Sequence, residues 1–275
     1  MLAAALIVFR EVLEAGLIIG VVLAATEGVA KRGRWVAGGL VAGLIGAGVV
    51  ALFAQQISEA FHGSGQPIFN AAILIAAVFM LSWHIIWMSR HAKQMVQEMK
   101  SLGHSLTTGE TTLAAMATVV AVAVLREGAE VVLFLYGIAA GGDTNSLSML
   151  VGGVAGMAGG AAISFAIYRS LVAIPLGKLF AVTNVLVALL AAGMAGQAGF
   201  LLAQAGLIPT LGDQLWDTSW LLRDDGLLGR ALHALVGYTD RPMGVQFAAY
   251  LAVLIGLIAL GRYLGSTPQP ARQAN

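Results

Sequence analysis

Apolar stretches of about eighteen residues or more recur along this chain, each long enough to cross a hydrocarbon layer of about 30 Å as a helix. Seven are expected, over roughly 1–25, 36–56, 67–89, 112–140, 147–168, 178–205 and 244–264. Composition agrees, since 59% of the 275 residues are hydrophobic and 11% are charged, whereas soluble domains carry about a quarter charged residues. The chain reads as an all-α polytopic membrane protein with seven transmembrane helices. Its 15 Lys and Arg nearly cancel its 14 Asp and Glu, so nothing points to a basic nucleic-acid surface. The absence of cysteine excludes disulfides, thiolate ligands and thiol catalysis, and leaves any metal to oxygen or imidazole donors.

Charge placement orients the spans. Lys31, Arg32 and Arg34 follow the first span; Arg90, Lys93 and Lys100 follow the third; Arg169 and Lys178 flank the fifth and sixth; Arg262 and Arg272 follow the last. The connections 57–66 and 141–146 have no Lys or Arg, and the segment opposite, 206–243, has Arg223, Arg230 and Arg241. The positive-inside rule then puts the N-terminus outside and the C-terminus in the cytoplasm. Met1 leads directly into apolar residues with no basic stretch, so the first segment is expected to stay as a helix. Residues 90–106 space Met95, Met99, Leu102 and Leu106 as an amphipathic cytoplasmic extension of the third span. The outer segment is expected to form two short helices, 213–222 and 226–236. It carries Asp213, Asp217, Asp224, Asp225 and Asp240, which can draw cations to an entrance or simply solvate a loop.

The remaining basic residues, Arg10 and Arg126, lie inside spans and belong to a repeat. Residues 9–16 read Phe-Arg-Glu-Val-Leu-Glu-Ala-Gly and residues 125–132 read Leu-Arg-Glu-Gly-Ala-Glu-Val-Val, so Arg-Glu-x-x-Glu occurs twice, 116 residues apart. That offset lays span two on span five and span three on the later part of span six, giving two three-helix repeats plus a C-terminal helix. Gly39 and Gly43 in span two resemble Gly156 and Gly160 in span five. An odd number of spans per unit inverts the second copy, as in many transporters. The expected organisation is a first repeat with its extension over 1–110, a second repeat over 111–205, an outer loop over 206–243, and a last helix and tail over 244–275.

Within each copy the glutamates are three apart, so Glu11 with Glu14, and Glu127 with Glu130, share a helix face, while each arginine reaches the second glutamate at i+4. One charge at the bilayer centre costs at least about 2.5–3.5 kcal/mol on insertion scales. Two arginines neutralise two of the four glutamates, and the remaining pair requires protons or a cation in a low dielectric. Closed Arg–Glu bridges locking two helices are the ligand-free alternative. Four carboxylates without thiolates suit a hard cation, and spacing alone does not name the metal. His84, in span three beside Trp83, is a candidate auxiliary ligand or proton relay, or an ordinary hydrogen-bonded histidine. The ten scattered methionines give no soft-metal cluster.

Two Arg-Glu-x-x-Glu motifs in the first and fourth of seven spans resemble the oxidase-dependent iron permease family, which includes fungal high-affinity iron permeases and bacterial EfeU-type permeases. The outer stretch Leu215-Trp216-Asp217-Thr218-Ser219-Trp220-Leu221-Leu222, with Leu235-Val236-Gly237-Tyr238 before Arg241-Pro242, is similar to the bacterial branch. The resemblance covers essentially the whole chain. It implies Glu11, Glu14, Glu127 and Glu130 as iron ligands, Arg10 and Arg126 as their partners, and iron, as Fe2+ or Fe3+, as transported substrate with no permanently bound cofactor. It also implies a bacterial inner membrane location and partners that include an extracytoplasmic iron-binding protein and a haem peroxidase or ferroxidase. The acidic Asp-Ala-Ser-Glu stretch of fungal members is missing, which argues against a fungal-style ferroxidase handover. Glycine-rich spans permit a homo-oligomer. The rival readings are a transporter of another divalent cation or protons, an intramembrane carboxylate di-metal enzyme, and a scaffold. The enzyme reading lacks the Glu-x-x-His motif of carboxylate di-metal bundles, since residues 14 and 130 are glutamates.

Overall fold

The described residues form eight helices in chain order: α1 (Leu2–Ala25), α2 (Arg32–Ala60), α3 (Gln66–Thr107), α4 (Leu113–Ala140), α5 (Ser146–Tyr168), α6 (Leu176–Gln204), α7 (Leu227–Val236) and α8 (Gly244–Gly265). The computed structural model describes residues 1–60, 66–108, 111–142, 145–169, 176–224 and 226–265, and among these there is no strand. Local chemistry sets several ends. Thr112 caps α4 by accepting from the Ala115 N–H at 3.2 Å, and Asn145 caps α5 by accepting from the Leu147 N–H at 2.7 Å. Gly237 ends α7 in the left-handed conformation, with φ of 69°.

Among the described residues five helices are long and apolar enough to cross a membrane: α2, the first half of α3, α5, α6 and α8. The protein is therefore an all-helical integral membrane protein. Helices α1 and α4 have comparable length but carry three charged residues each in mid-helix. Apolar side chains from α1, α3, α4 and α6 form the main core, with Ile7, Leu74, Leu81, Phe134, Val187 and Ala191 closed to solvent. A second cluster joins Val22, Val36, Leu106, Met116, Val120 and Val124, so the far end of α3, which continues unbroken past the apolar half, packs back on α1, α2 and α4.

The closest helix pairs are α2 with α4 and α1 with α5. Both seams depend on missing side chains. A Cβ at Gly152, Gly156 or Gly160 would run into the carbonyl oxygen of Met1, Ala5 or Phe9, and one at Gly39 or Gly43 into that of Ala117 or Ala121. Because the contacts advance together, each pair runs parallel. Ala117 and Ala121 stand 116 residues after Met1 and Ala5, the spacing of the two motifs, so Gly39 and Gly152 meet their partner helices in equal register, as do Gly43 and Gly156.

The segment 206–243 differs from expectation. Helix α7 forms over the second expected stretch, but 213–222 holds turns instead of a helix. Its backbone donors are taken by the chain that returns to α8: the Leu215 N–H bonds Pro242 O at 3.0 Å and the Thr218 N–H bonds Asp240 O at 3.0 Å. The Thr218 hydroxyl meets Tyr238 OH at 2.6 Å, and Tyr238 OH donates to Leu222 O at 2.9 Å. Asp217 accepts from the backbone and hydroxyl of Ser219, closing a local turn that competes with helix.

Candidate metal centre

The two motifs meet where α1, α3 and α4 pack on one another. Arg10, Glu11 and Glu14 are at most 2% exposed, Glu127 is 4% exposed, and His84 of α3 is 3% exposed. Arg10 lies 3.0 Å from both Glu11 Oε1 and Glu14 Oε1. Glu14 Oε2 is 3.2 Å from His84 Nε2, and the other ring nitrogen, Nδ1, closes on Glu130 Oε2. Arg126 Nε reaches Glu130 Oε1 at 3.2 Å. The i+4 pairings read from the sequence are thus present, and His84 ties the two motifs together. This assigns it a place the sequence left open: it is a buried bridge in mid-helix, not a helix-end histidine satisfied by solvent or backbone.

Ligand atoms from Glu11, His84, Glu127 and Glu130 lie within 4.8 Å of one another, and among the described residues no other group of three or more acidic or histidine side chains converges in this way. Glu11 Oε2 and Glu127 Oε2 are buried without a hydrogen-bond partner. Four carboxylates against two guanidiniums leave a formal excess of two negative charges, and buried carboxylates with unmet lone pairs are strongly unfavourable unless a proton or cation joins them. Glu14 stands one layer back, its two oxygens on Arg10 and His84.

The copies share the Arg-Glu-x-x-Glu pattern and are unequal in surroundings. Arg10 is closed off, while the Arg126 side chain is 40% exposed and lies with its guanidinium 4.4 Å from the centre of the Trp87 ring. The sequence reading did not single out Trp87. The available signal was spacing, because Trp87 follows His84 by three residues on the same helix face. A cavity of about 280 Å³ lined by Phe79, Met80, Trp83, His84, Arg126 and Glu130 reaches this side of the cluster.

The outer acidic residues are elsewhere. Asp213 is exposed, and Asp217 pairs with Arg241 at 3.1 Å. Hydrogen bonds from Ser219, reinforced by Arg241, hold the Asp217 carboxyl below its ordinary value. The Asp224 carboxyl accepts from the Asp240 N–H at 3.2 Å, and burial pushes it above its ordinary value. Asp225 falls outside the described residues. Asp224 also helps line a larger cavity of about 970 Å³, with Met1, Asn145, Gln197, Arg230 and His233, between α7 and the ends of α1, α4 and α6.

The family model for the iron permease FTR1 family matches residues 1–266. The chain belongs to that family. Among curated relatives of this iron permease family member is the ferrous iron permease EfeU of Yersinia pestis, 29% identical over 260 residues, which cover 93% of this chain and 91% of the relative. The ferrous iron permease EfeU of Yersinia pseudotuberculosis is likewise 29% identical over 93% of this chain and 90% of the relative. That of Escherichia coli O6:K15:H31 is 28% identical, with 91% of each covered. No solved structure matches the chain. The family is one of transporters, and iron transport is its shared activity.

Proposed function

We propose that the chain moves ferrous iron inward across a bacterial inner membrane through the buried cluster on α1, α3 and α4. The observation that carries this reading is the convergence of donors from Glu11, His84, Glu127 and Glu130 within 4.8 Å around carboxylate oxygens without hydrogen-bond partners. An imidazole beside three carboxylates suits iron better than Mg2+ or Ca2+, which favour oxygen-only shells. With Nε2 turned to Glu14, His84 offers Nδ1 to the metal, so Glu14 orients a ligand instead of ligating, as carboxylates behind metal-bound histidines do. An arriving cation supplies the two positive charges that the cluster lacks. It also takes the place of the His84–Glu130 contact.

In this reading α1 and α4 also span the membrane, for seven spans in all, with the N-terminus outside. The parallel seams support it, because α1 and α5, like α2 and α4, are separated by an even number of connections. Two inverted repeats are supported by the same contacts: the second helix of each unit packs on the first helix of the other, in matching register from the motif. The larger cavity, next to Met1 and roofed by α7, serves as the outer entrance. An extracytoplasmic iron-binding protein and a haem peroxidase that present iron to it are part of the proposal.

Uptake of iron-55 into proteoliposomes tests it, with ferrous and ferric iron supplied separately to wild type and to Glu11→Gln, Glu127→Gln and Glu130→Gln. Ferrous uptake by wild type that falls at least about tenfold in each variant is expected, since each removes a charged ligand worth well over 1.4 kcal/mol. Accumulation by wild type no greater than in protein-free vesicles sinks the proposal.

A further inference from the structure

The two motif arginines hold the same place in Arg-Glu-x-x-Glu and differ in what surrounds them. Arg10 is closed to solvent and held by two carboxylates of its own helix at 3.0 Å each. A guanidinium buried in this way has no second position to occupy. Arg126 meets one carboxylate, Glu130, and its other face lies 4.4 Å from the centre of the Trp87 ring. Trp87 is in turn stacked on His91, with centroids 4.9 Å apart and planes 14° from parallel, and His91 Nδ1 is 2.9 Å from Trp87 O. The indole thus packs on both Arg126 and His91. Of the four motif carboxylates, Glu130 alone lines the 280 Å³ cavity, next to Arg126.

Arg126 holds Glu130 Oε1 and His84 holds Oε2, so a cation that enters at Oε2 repels the guanidinium beside it and one that takes both oxygens displaces it. Expelling a guanidinium in a low-dielectric setting is costly unless another partner receives it. The face of an indole is such a partner, through attraction between the cation and the ring's negative face. We propose that Arg126 is the movable latch of the centre, that Trp87 is the face that receives it when the metal takes Glu130, and that Arg10 is the fixed counter-ion. The proposal rests on the iron-permease reading for the identity of the cation. Trp87 is then a positioning residue: it touches no metal, and it sets how readily Glu130 is released to one.

Two experiments test the latch. In proteoliposomes, Trp87→Phe keeps an aromatic face and is expected to transport iron-55 nearly as wild type, whereas Trp87→Leu is expected to lose about 2- to 30-fold, the range of a cation–π contact. Equal uptake by Trp87→Leu and wild type overturns the proposal. The second experiment needs neither metal nor transport. In full-length protein keeping Trp87 as its one tryptophan, Glu130→Gln frees Arg126 and is expected to change the indole emission, and that change is expected to vanish when Arg126 is also replaced by Gln. Emission that ignores Glu130→Gln overturns the latch. Wild-type vesicles without iron uptake, combined with the expected emission change, overturn the permease reading and leave the latch standing.

Discussion

Arg10 and Arg126 define what can be asked of single residues here. Because Arg10 is fully buried between two carboxylates, Arg10→Gln leaves charges stranded in the interior, and a loss of about 3–5 kcal/mol is expected from breaking a buried pair. Arg126→Gln removes the partner of one carboxylate that His84 still contacts, and a smaller loss is expected. Thermal unfolding of both variants in the same detergent checks this, and equal shifts would remove the distinction between the arginines. The sequence made the six motif residues and their i+4 pairings legible, since helical spacing alone puts them on one face. It left the arginines equivalent, because what they meet beyond their own helix, such as the Trp87 ring at Arg126, is brought from α3, which spacing within α1 and α4 does not contain. His84 was visible as an intramembrane histidine, but its role as a bridge depends on how α3 is rotated against two other helices.

At the scale of elements, the glycine seams carry the packing. Replacing Gly156 with Leu drives a side chain into the backbone of α1 at Ala5, whereas Gly48 of α2 has open space around it. Gly156→Leu is expected to abolish recovery of monodisperse protein while Gly48→Leu is recovered like wild type, as size-exclusion profiles will show; a normal Gly156→Leu profile would mean that α5 is free to move off α1. Thr112→Ala removes the cap of α4 and is expected to cost about 1 kcal/mol, checked by the same unfolding assay. The helices themselves were readable from runs of apolar residues. The stretch 213–222 forms no helix because its backbone donors pair with the returning chain at 240–242, and a pairing with a segment some twenty residues away leaves no period in the sequence. That clasp also titrates. Asp217 is held ionised below its ordinary range, so its contribution is present above that range and is lost as the pH falls through the lowered value. Protease nicking of 206–226 is expected to stay unchanged from neutral pH down to the ordinary aspartate range and to rise only below it, and a rise near neutral pH would show that Asp217 does not hold the clasp.

For the whole molecule, the proposed orientation is open to direct measurement because the chain contains no cysteine of its own. A cysteine at Gly33 is expected to react with an impermeant thiol reagent only from the cytoplasmic side, and one at Ser219 only from outside. Labelling of both from one side would refute the proposed seven-span arrangement. The interlocked packing, in which α1 rests on α5 and α2 on α4, bears on how the protein is made. A chain leaves the ribosome N-terminal end first, so α1, with Arg10, Glu11 and Glu14 in its middle, is synthesised well before the helices that bury those charges. The first half is therefore made before it can bury those charges as it does in the finished molecule, so the order in which the helices arrive matters to this protein as much as the depth of any one of them.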